Sequence, residues 1–579
     1  MTDASPSPMP WRASAALGLV LFAVALWACP RHVQPGDAGE LATVMLEGGV
    51  PHPSGYPWMR ALGLFARALA GIGVPPMLAA ALPCALLAIA GWIWIARAVA
   101  RLVAWPAAIV AVGFVALAHG VVVHTCDVEV WGPLVLAIAA MLHLAIVPPR
   151  QAWRAGVVFG LCLAHHLTCV WLLPLAIAAG WPRSSPTRAA ILRAALAGVL
   201  GTLLGLGFYA TLAIGDGDAW RWGDTRSLEG LLHHVLRRDY GVLSLSLHDA
   251  SPSTMDQLAR VGSAWTRMLT AGLLEHAIVA PLLLAAIAYA AVRAWPRTQR
   301  EAGVAIASAW LSAALVFPLM HDIDPRSPFA AWILERFDVM PFVLLAPALA
   351  LALHRAWLRV PSGWPRTLAV LTVAVLGLRQ LGTTWERGVP SDDDLVEAYA
   401  VNVLRTPDPD RPALVLGTDD HRSFGVLYAH EVLGEGAQVL YVDASLLAHP
   451  WYRARLRRRW PDLPDVDKPV ALLRALWDRG SDVPVYLANE FSVPSTSLPR
   501  VPEGVLWRVL SPAEIDVGPE LVQARHLAAR ARLRSATGVS ASPFSSDLAA
   551  AAAEPTLRLD QGLRRAGRPD LAAELPAPP

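Results

Sequence analysis

Apolar runs of membrane-spanning length recur through the first two thirds of this chain, and they constrain its fold more than any other feature. A transmembrane helix needs roughly 20 consecutive, mostly apolar residues. Hydrophobic residues make up 55% of the sequence and charged residues only 16%, which is too apolar for a soluble domain of this size. We therefore predict an α-helical polytopic membrane protein with about eleven spans, two of them short. The runs cover residues 13–30, 75–97, 102–119, 130–147, 153–165, 167–181, 190–213, 269–292, 302–319, 337–353 and 367–383.

The arginines of the short loops between these runs define an orientation. Alternate loops, at residues 97–101, 150–154, 183–193, 293–300 and 355–366, contain arginine and no acidic residue. The positive-inside rule places such loops in the cytoplasm. The other polar segments, and everything after the last span, then lie together at the periplasmic surface of an inner membrane. The net charge of +2 gives no indication of a nucleic-acid partner.

Composition divides the chain into three parts. Residues 1–389 form the predicted transmembrane domain, residues 390–515 a soluble α/β domain on the outer side, and residues 516–579 a helical or disordered tail. The tail is rich in alanine and arginine and then in proline, and its sequence indicates no functional site.

A β-α-β unit is predicted within the α/β domain, from Ala413 to Asp443. The sequence there changes from a strand pattern to a polar turn, an amphipathic helix and a second strand pattern. Ligands often bind at the carboxyl ends of such strands. Asp419 and Asp420, which follow the first strand, are therefore either ligand-binding residues or simple caps of the helix.

The first outer loop, "GDAGELATVMLEGGVPHPSGYP" at residues 36–57, has the densest group of chemically active side chains. Asp37 and Glu40 are three residues apart and can share one face of a short helix. Desolvation and like-charge proximity are expected to raise their pKa, so that one of them could take a proton from a hydroxyl. The alternative is a capping Asp with a solvated Glu. His52 and Tyr56 lie on a turn shaped by proline and glycine.

Further polar residues lie at the outer ends of later spans. Asp127 and Glu129 are costly at that depth unless they face a cavity or a partner, although they could also simply fix the helix end at the interface. His165 and His166 occupy a break between two short spans. Irregular backbone survives there only if it lines protein or a water-filled cavity, and a satisfied core histidine is the alternative.

Arginines on the outer face are candidates for binding a phosphate group, because a guanidinium donates two parallel hydrogen bonds. The selected residues are Arg238, with Tyr240 beside it, and Arg336, which follows Glu335; ordinary surface ion pairs are the alternative. There is no metal-ligand spacing such as His-x-x-x-His, although acids with water could hold a divalent ion. The wider set of outer arginines is Arg221, Arg226, Arg237 and Arg326.

A carboxylate base beside phosphate-binding arginines suits the transfer of a sugar from a lipid carrier. Charged nucleotide sugars do not cross the bilayer, so an outer-face transferase needs a polyprenyl-phosphate donor whose chain lies in membrane lipid. The base deprotonates an acceptor hydroxyl on a protein or a glycan, and cations stabilise the departing phosphate. We therefore predict an inverting glycosyltransferase without a cofactor, with Asp37 and Glu40 as catalytic residues.

Several motifs occur in the order seen in a known family: the first-loop sequence, then HTCDVEVW, GLCLAHHLT, WGDTRSLEGLLHHVLRRDYG, ILERFDVMPF, VLGTDDHRSFGVLYAHE and SLLAHPWY. Over about residues 15–460 the chain resembles multi-spanning proteins long classified as a domain of unknown function. That family is similar to vertebrate protein O-mannosyltransferases of the same type and is grouped with the GT-C glycosyltransferases. The Asp-x-x-Glu and His-Pro-x-Gly-Tyr-Pro pairing is specific to it.

The resemblance implies a GT-C architecture, a polyprenyl-phosphate-sugar donor, with mannose as one candidate sugar, and an acidic catalytic base in the first outer loop. Asp37 matches the position of that base, and Glu40 lies beside it. The chain departs from the family at one point: the family's Glu-Val-Tyr reads Glu129-Val130-Trp131 here, which removes a phenol.

A transporter or flippase of a lipid-linked or small anionic substrate is the alternative function, because it too would have many spans and intramembrane acids. The polar groups, however, cluster at one face and not at the midplane, and no internal repeat relates two halves of the chain. A third possibility, an assembly protein with an outer sensing domain, would leave residues 36–57 without a role.

Overall fold

The computed structural model describes residues 8–182, 187–215, 217, 219–239, 254–271, 299–321, 323, 329–480, 482–488, 498–537 and 543–578. These residues are mostly helical, with one small β-sheet in the C-terminal part. The helices as far as residue 271 are α1 Trp11–Ala28, α2 Ala38–Glu47, α3 Pro57–Gly71, α4 Pro76–Val99, α5 Trp105–Ala116, α6 His119–Cys126, α7 Trp131–Ile146, α8 Ala152–His165, α9 Leu173–Gly180, α10 Arg188–Leu206, α11 Leu228–Val235 and α12 Thr254–Ala271.

The later helices continue through the last membrane segments into the α/β domain and the tail. They are α13 Arg300–Leu311, α14 Phe317–Met320, α15 Ala330–Glu335, α16 Val339–Arg359, α17 Trp364–Arg387, α18 Leu395–Arg405, α19 Asp420–Glu431, α20 Pro450–Arg459, α21 Pro469–Asp478, α22 Pro519–Arg530, α23 Pro543–Arg565 and α24 Pro569–Ala573. Short 3-10 helices lie at Leu167–Leu172, Gly207–Ala213, Arg336–Asp338, Pro390–Asp392, Leu446–Ala448 and Pro512–Glu514, and a π-helical turn lies at Ser312–Val316.

The predicted helical membrane architecture is confirmed. Within the described residues, six helical segments are long and apolar enough to cross a membrane, or seven if one bent pair is counted as a span. Three shorter apolar helices occupy the predicted runs at 130–147, 153–165 and 167–181. The run at 269–292 lies almost wholly outside the described residues, so the total of eleven stays a prediction. The six segments are Trp11–Ala28, Pro76–Val99, Arg188–Ala213, Arg300–Met320, Trp332–Arg359 and Trp364–Arg387.

The bent pair is formed by α5 and α6, whose axes differ in direction by 74°. Helix α6 packs closely on the end of another span: a Cβ built on Gly120 would lie 2.7 Å from a carboxylate oxygen of Glu335. His124, also on α6, has its Nε2 3.9 Å from the same carboxylate. The bend therefore carries the polar residues of α6 towards the Glu335 carboxylate.

The α/β domain contains a five-stranded sheet with the strand order β2-β1-β3-β5-β4. Strand β1 is parallel to β2 and β3, whereas β5 is antiparallel to β3 and β4. The predicted β-α-β unit is thus confirmed, with α19 connecting β1 to β2. The strands are β1 Ala413–Gly417, β2 Val439–Asp443, β3 Val485–Leu487, β4 Arg500–Glu503 and β5 Leu506–Val509.

The C-terminal tail returns to the α/β domain and to the end of a membrane helix. The buried carboxylate of Asp394, before α18, accepts hydrogen bonds from Arg534 Nη2 (2.9 Å) and from the backbone N–H of Thr537 (2.8 Å). Farther along, the ring of Phe544 stacks on Phe329 at 4.7 Å and contacts Trp332 edge-on at 4.8 Å. The first turn of α23 therefore lies against the segment that leads into α16.

The α/β domain rests directly on the first outer loop through the contact of α19 with α2. Gly39, on α2, makes this contact possible: a Cβ at this position would lie 2.3 Å from the backbone oxygen of Phe424, on α19. No Cβ tolerates that distance, so the two helices approach more closely than any residue other than glycine would permit at position 39. The contact couples the sheet domain to Asp37 and Glu40.

We expect Gly39→Ala to destabilise the protein by about 1–3 kcal/mol, because the new methyl group overpacks a contact between two backbones. Thermal unfolding of the purified protein measures the effect, and limited proteolysis reports loosening of the α/β domain. Gly71→Ala, on α3, is the control, because the space that its new methyl group would occupy is open. Equal melting temperatures for the two variants would contradict the prediction.

Candidate active site

A cavity of about 190 Å³ lies at one end of the membrane helices, where the first outer loop meets the segments that follow α6 and α8 and the start of α16. Residues from the α/β domain close one side of it. Its polar lining residues are Asp37, His52, Ser54, Tyr56, Glu129, His166, Thr168, Arg237, His321, Arg336 and Asp420.

Arg336 is the central cation of the cavity. Its Nη1 donates to Glu129 Oε1 at 2.9 Å and to Asp37 Oδ2 at 3.2 Å, while its Nε donates to the backbone oxygen of Ile333. The guanidinium also lies over the ring of Trp332, 5.7 Å from its centroid. Among the described residues, none accepts a hydrogen bond from Nη2. That edge of the guanidinium is therefore available to a ligand in the cavity.

Glu40 lies behind the cavity and orients His52. The carboxylate is fully buried and accepts hydrogen bonds from the Trp220 indole (2.8 Å), the backbone N–H of His52 (3.1 Å) and His52 Nδ1 (2.6 Å). The other ring nitrogen of His52 lies 3.1 Å from the hydroxyl of Tyr56. The predicted turn is confirmed: Tyr56 begins α3 in a left-handed conformation with φ of 38°. Glu40 thus sets the position of two residues that line the cavity.

The charges of the cavity differ from those expected of a simple acid pair. Burial alone would raise the pKa of Asp37, but the adjacent Arg336 and the nearby His52 overcome it and hold the pKa below its ordinary value. The expectation of a raised Asp37 pKa is therefore wrong, because its neighbours are cations and Glu40 points away from it. Burial raises the pKa of Glu129 to about 8, against the opposing charge of Arg336. One guanidinium thus neutralises Asp37, and Glu129 is the carboxyl that more readily holds a proton.

His52 adds a second positive charge. Burial opposes its protonation, but the carboxylates of Glu40 and Asp37 raise its pKa to about 9. As an imidazolium, His52 donates from both ring nitrogens, to Glu40 and to the oxygen of Tyr56. His52, Arg237 and Arg336 together give the cavity three cationic side chains. The ionised carboxylate that lies beside Arg336 is that of Asp37. This balance favours an anionic ligand.

Aromatic rings form one wall beside these charges. His166 stacks on Tyr56 at 5.7 Å between ring centroids and lies 5.4 Å from Trp131. Trp131 in turn contacts Phe337 edge-on at 4.9 Å. The backbone N–H of Thr168 donates to His166 Nδ1 at 3.3 Å, so the neutral ring carries its proton on Nε2. His166 therefore presents a rigidly held donor within this wall.

The structure brings together six of the site residues selected from the sequence, and each lines the cavity: Asp37, His52, Tyr56, Glu129, His166 and Arg336. Three others are buried near it without lining it, namely Glu40, Asp127 and His165. Asp127 Oδ1 accepts from the backbone N–H of Val128 at 2.7 Å, and His165 Nε2 donates to the backbone oxygen of Val130 at 2.6 Å. Both therefore shape the loop that carries Glu129.

Arg238 does not line the cavity; it is exposed, and the preceding Arg237 lines the cavity instead. Helix α11 ends just before this pair, and Arg237 adopts a left-handed conformation with φ of 51°. That single backbone reversal decides which of the two side chains turns inward, and helical periodicity alone does not reveal it. The selected Tyr240 and the candidate Arg326 lie outside the described residues.

Asp420 is the residue whose role the sequence left open. It does not serve as a helix cap through its side chain; it is the first residue of α19 and lines the cavity. The sequence feature that pointed to Asp420 was its position directly after the first strand of the β-α-β unit, where ligands often bind. The Asp420 side chain is exposed to the cavity, where partial desolvation by the surrounding protein and the charge of Asp37 raise the pKa of its carboxyl. Among the described residues, no group of three or more His, Cys, Asp or Glu side chains has the arrangement of a metal site.

The pKa of His52 leads to a testable pH dependence of stability. Because folding raises this pKa from about 6.5 to about 9, the Glu40–His52 pair stabilises the protein fully below about pH 6.5. That stabilisation is lost as the pH rises through about 9. We expect the melting-temperature advantage of the wild type over His52→Gln to shrink across this window.

Thermal unfolding between pH 6 and pH 9.5 measures this advantage. Glu40→Gln is the matched control, because it retains the histidine while removing the largest influence that raises its pKa. In that variant the pH-dependent part should move to lower pH. A wild-type advantage that stays constant over the whole range would contradict the assignment of His52 as a cation.

The chain is similar in sequence to a known protein. No family model matches it. It is 24% identical over 485 residues to the Mus musculus Protein O-mannosyl-transferase TMEM260, a match that covers 78% of this chain and 66% of that protein. The match thus spans just under two thirds of the relative. It confirms the resemblance inferred from the sequence motifs.

Two crystal structures of ArnT from Cupriavidus metallidurans also resemble the chain. The apo structure matches with a TM-score of 0.49 and 14% identity, covering 85% of this chain and 95% of that one. The structure bound to undecaprenyl phosphate matches with a TM-score of 0.45 and 14% identity, covering 85% and 96%.

Proposed function

We propose that this protein is a membrane glycosyltransferase that moves a sugar from a polyprenyl-phosphate donor to a hydroxyl of a protein acceptor. Mannose is the proposed sugar, since the mouse relative is named a protein O-mannosyltransferase. The reaction would take place at the periplasmic surface of a bacterial inner membrane, where the positive-inside rule places the first outer loop.

The observation that carries the proposal is the pairing of an ionised carboxylate with a partly open guanidinium inside one cavity. Asp37 and Arg336 come from opposite parts of the transmembrane domain, 299 residues apart, and meet at 3.2 Å. A base for the acceptor and a cation for the leaving phosphate must both lie within reach of one anomeric carbon. Asp37 and Arg336 supply these groups side by side.

In the proposed reaction, Asp37 accepts the proton of the acceptor hydroxyl while the hydroxyl oxygen attacks the anomeric carbon. The bond from that carbon to the phosphate oxygen breaks, and polyprenyl phosphate leaves with one additional negative charge. Arg336, Arg237 and His52 line the cavity and stabilise that charge. A single displacement of this kind inverts the anomeric configuration.

Donor binding would also adjust the base. In the unliganded cavity Arg336 lowers the pKa of Asp37, which keeps the carboxylate ionised but makes it a weak base. A donor phosphate that accepts hydrogen bonds from Arg336 weakens the interaction between Arg336 and Asp37. The pKa of Asp37 would then rise when the donor is bound, so that Asp37 becomes a better base only when a sugar is present for transfer.

The edge of the cavity also suits a lipid carrier. Val170 and Met320, which line the cavity, are 43% and 41% exposed. Both belong to apolar segments, so in a membrane their exposed surfaces contact lipid. A polyprenyl chain could lie along this side while its phosphate reaches Arg336.

The experiment is sugar transfer by the purified wild-type protein from a panel of radiolabelled polyprenyl-phosphate sugars to serine- and threonine-containing acceptor proteins. We expect transfer from one donor, with mannose tested first, and an inverted anomeric configuration in the product. Transfer only to glycan acceptors would overturn the protein-acceptor assignment. No transfer from any donor by folded protein would favour the transporter alternative.

A further inference from the structure

A second cavity, of about 420 Å³, lies within the α/β domain between α19 and α20, over the edge strand β2. Pockets that bind small ligands are typically ~300–1,000 Å³. Trp220 closes one side of this cavity from the transmembrane domain. It is therefore large enough for a ligand, and it is built by both parts of the chain.

The second cavity adjoins the candidate active site. Phe424 lines both cavities. Trp220, which lines the second cavity, donates its indole N–H to Glu40, the residue that orients His52 in the first. A ligand in the second cavity would thus lie one aromatic ring away from the site that holds Asp37.

The interior of the second cavity combines aromatic surface with fixed polar groups. The hydroxyl of Tyr441 lies 3.1 Å from that of Ser423, and the hydroxyl of Tyr452 accepts a hydrogen bond from the backbone N–H of Asp443 at 2.8 Å. Asp443, at the end of β2, accepts hydrogen bonds from Ser445 and is buried. These groups hold each other in place, so the interior is preformed.

Arginines give the cavity a positive border. Arg455 lies over the ring of Trp220, 5.3 Å from its centroid, and its Nη2 donates to Glu431 at 3.3 Å, so that this pair carries no net charge. Arg458 and Arg459, the next arginines of α20 that line the cavity, are exposed. A carboxylate at the mouth would meet the positive charge of these two side chains there.

From this arrangement we propose that the second cavity binds an acidic segment of the polypeptide acceptor and so holds the acceptor hydroxyl near Asp37. The inference rests on the proposed transferase function and adds the chemistry of the acceptor. Aromatic walls would contact the peptide backbone and side chains, while Arg458 and Arg459 bind Asp or Glu residues of the segment. The acceptor would then be chosen partly by charge, since electrostatic complementarity mainly gives specificity.

The test measures the binding of fluorescent peptides to the full-length protein in nanodiscs, without a donor. Fluorescence anisotropy at low salt reports the bound fraction. A peptide with a central threonine flanked by glutamates is compared with its glutamine counterpart. We expect the wild type to bind the glutamate peptide about tenfold more tightly, a preference that added salt reduces. The double variant Arg458→Gln/Arg459→Gln should lose that preference.

The control is Arg474→Gln/Arg479→Gln, which removes two exposed arginines of the same domain outside the second cavity and should bind as the wild type. Equal binding of both peptides by the wild type, or an unchanged preference in the cavity variant, would overturn the inference. So would binding of a uronic-acid oligosaccharide in place of the peptide.

Thermal stabilisation by polyprenyl phosphate, measured on the same preparations, separates this inference from the proposed function. If polyprenyl phosphate stabilises the protein and the peptides show no preference, only the acceptor assignment fails. If polyprenyl phosphate does not stabilise the protein, the proposed donor is wrong, whatever the peptides show.

Discussion

Replacing Asp37 with asparagine is expected to lower the rate of sugar transfer by about a thousandfold, with little loss of stability. A positioned general base typically contributes about 10²–10⁴ to a rate, and the amide of asparagine cannot accept the proton of the acceptor hydroxyl. Its carbonyl oxygen can still accept the hydrogen bond from Arg336 Nη1, now 3.2 Å from Asp37. The guanidinium should therefore stay in place, and donor binding should persist.

The measurement is kcat for transfer from the active donor, with polyprenyl-phosphate binding followed separately. Asp392→Asn is the matched control: it makes the same change at a highly exposed carboxylate, which pairs with Arg31. Its kcat should equal that of the wild type. Wild-type kcat in Asp37→Asn would remove Asp37 from the mechanism and direct attention to Asp420, the carboxylate that the α/β domain contributes to the same cavity.

Removing the central guanidinium is expected to damage both stability and activity. Arg336→Gln leaves Asp37 and the buried Glu129 without their shared cation, and breaking a buried ion pair from one side costs about 3–5 kcal/mol. It also removes a donor aimed at the leaving phosphate, so we expect kcat to fall by at least about a hundredfold. Thermal unfolding and the transfer assay measure the two effects separately.

A second substitution distinguishes these two roles of Arg336. In Arg336→Gln/Glu129→Gln an amide, which brings its own hydrogen-bond donor, replaces the buried carboxyl that lost its donor, so part of the lost stability should return. Activity should not return, because the phosphate still lacks its guanidinium. Recovery of activity together with stability would show that Arg336 acts only by holding the fold together.

The membrane part of the fold was predictable because each span is encoded locally. Twenty apolar residues leave the backbone no partner in lipid except itself, so a helix follows from composition alone. Every predicted apolar run that the structure describes is helical, and the short helix that carries Glu40 was expected from its spacing to Asp37. The bend between α5 and α6 was not expected, and α6 then packs against Glu335, a residue far away in the sequence.

The candidate site was predictable in its membership more than in its geometry. The charge rule placed Asp37 and Arg336 at one membrane surface, but no local signal indicates that they touch across 299 residues. The inward turn of Arg237 depends on one left-handed residue at a helix end. The approach of Asp420 depends on a glycine contact between Gly39 and Phe424. Such features arise only when separate elements pack.

The docking of the α/β domain on the first outer loop, and of the tail on the segment that leads into α16, sets the order in which a newly made chain becomes competent. Asp37 and Glu40 are translated early, whereas Asp420, which lines the same cavity as Asp37, and Phe544, which contacts Trp332, are translated much later. Contacts so distant in sequence form late, because closing a long loop costs entropy before any contact repays it. A nascent chain can therefore occupy the membrane before the α/β domain has closed its side of the cavity.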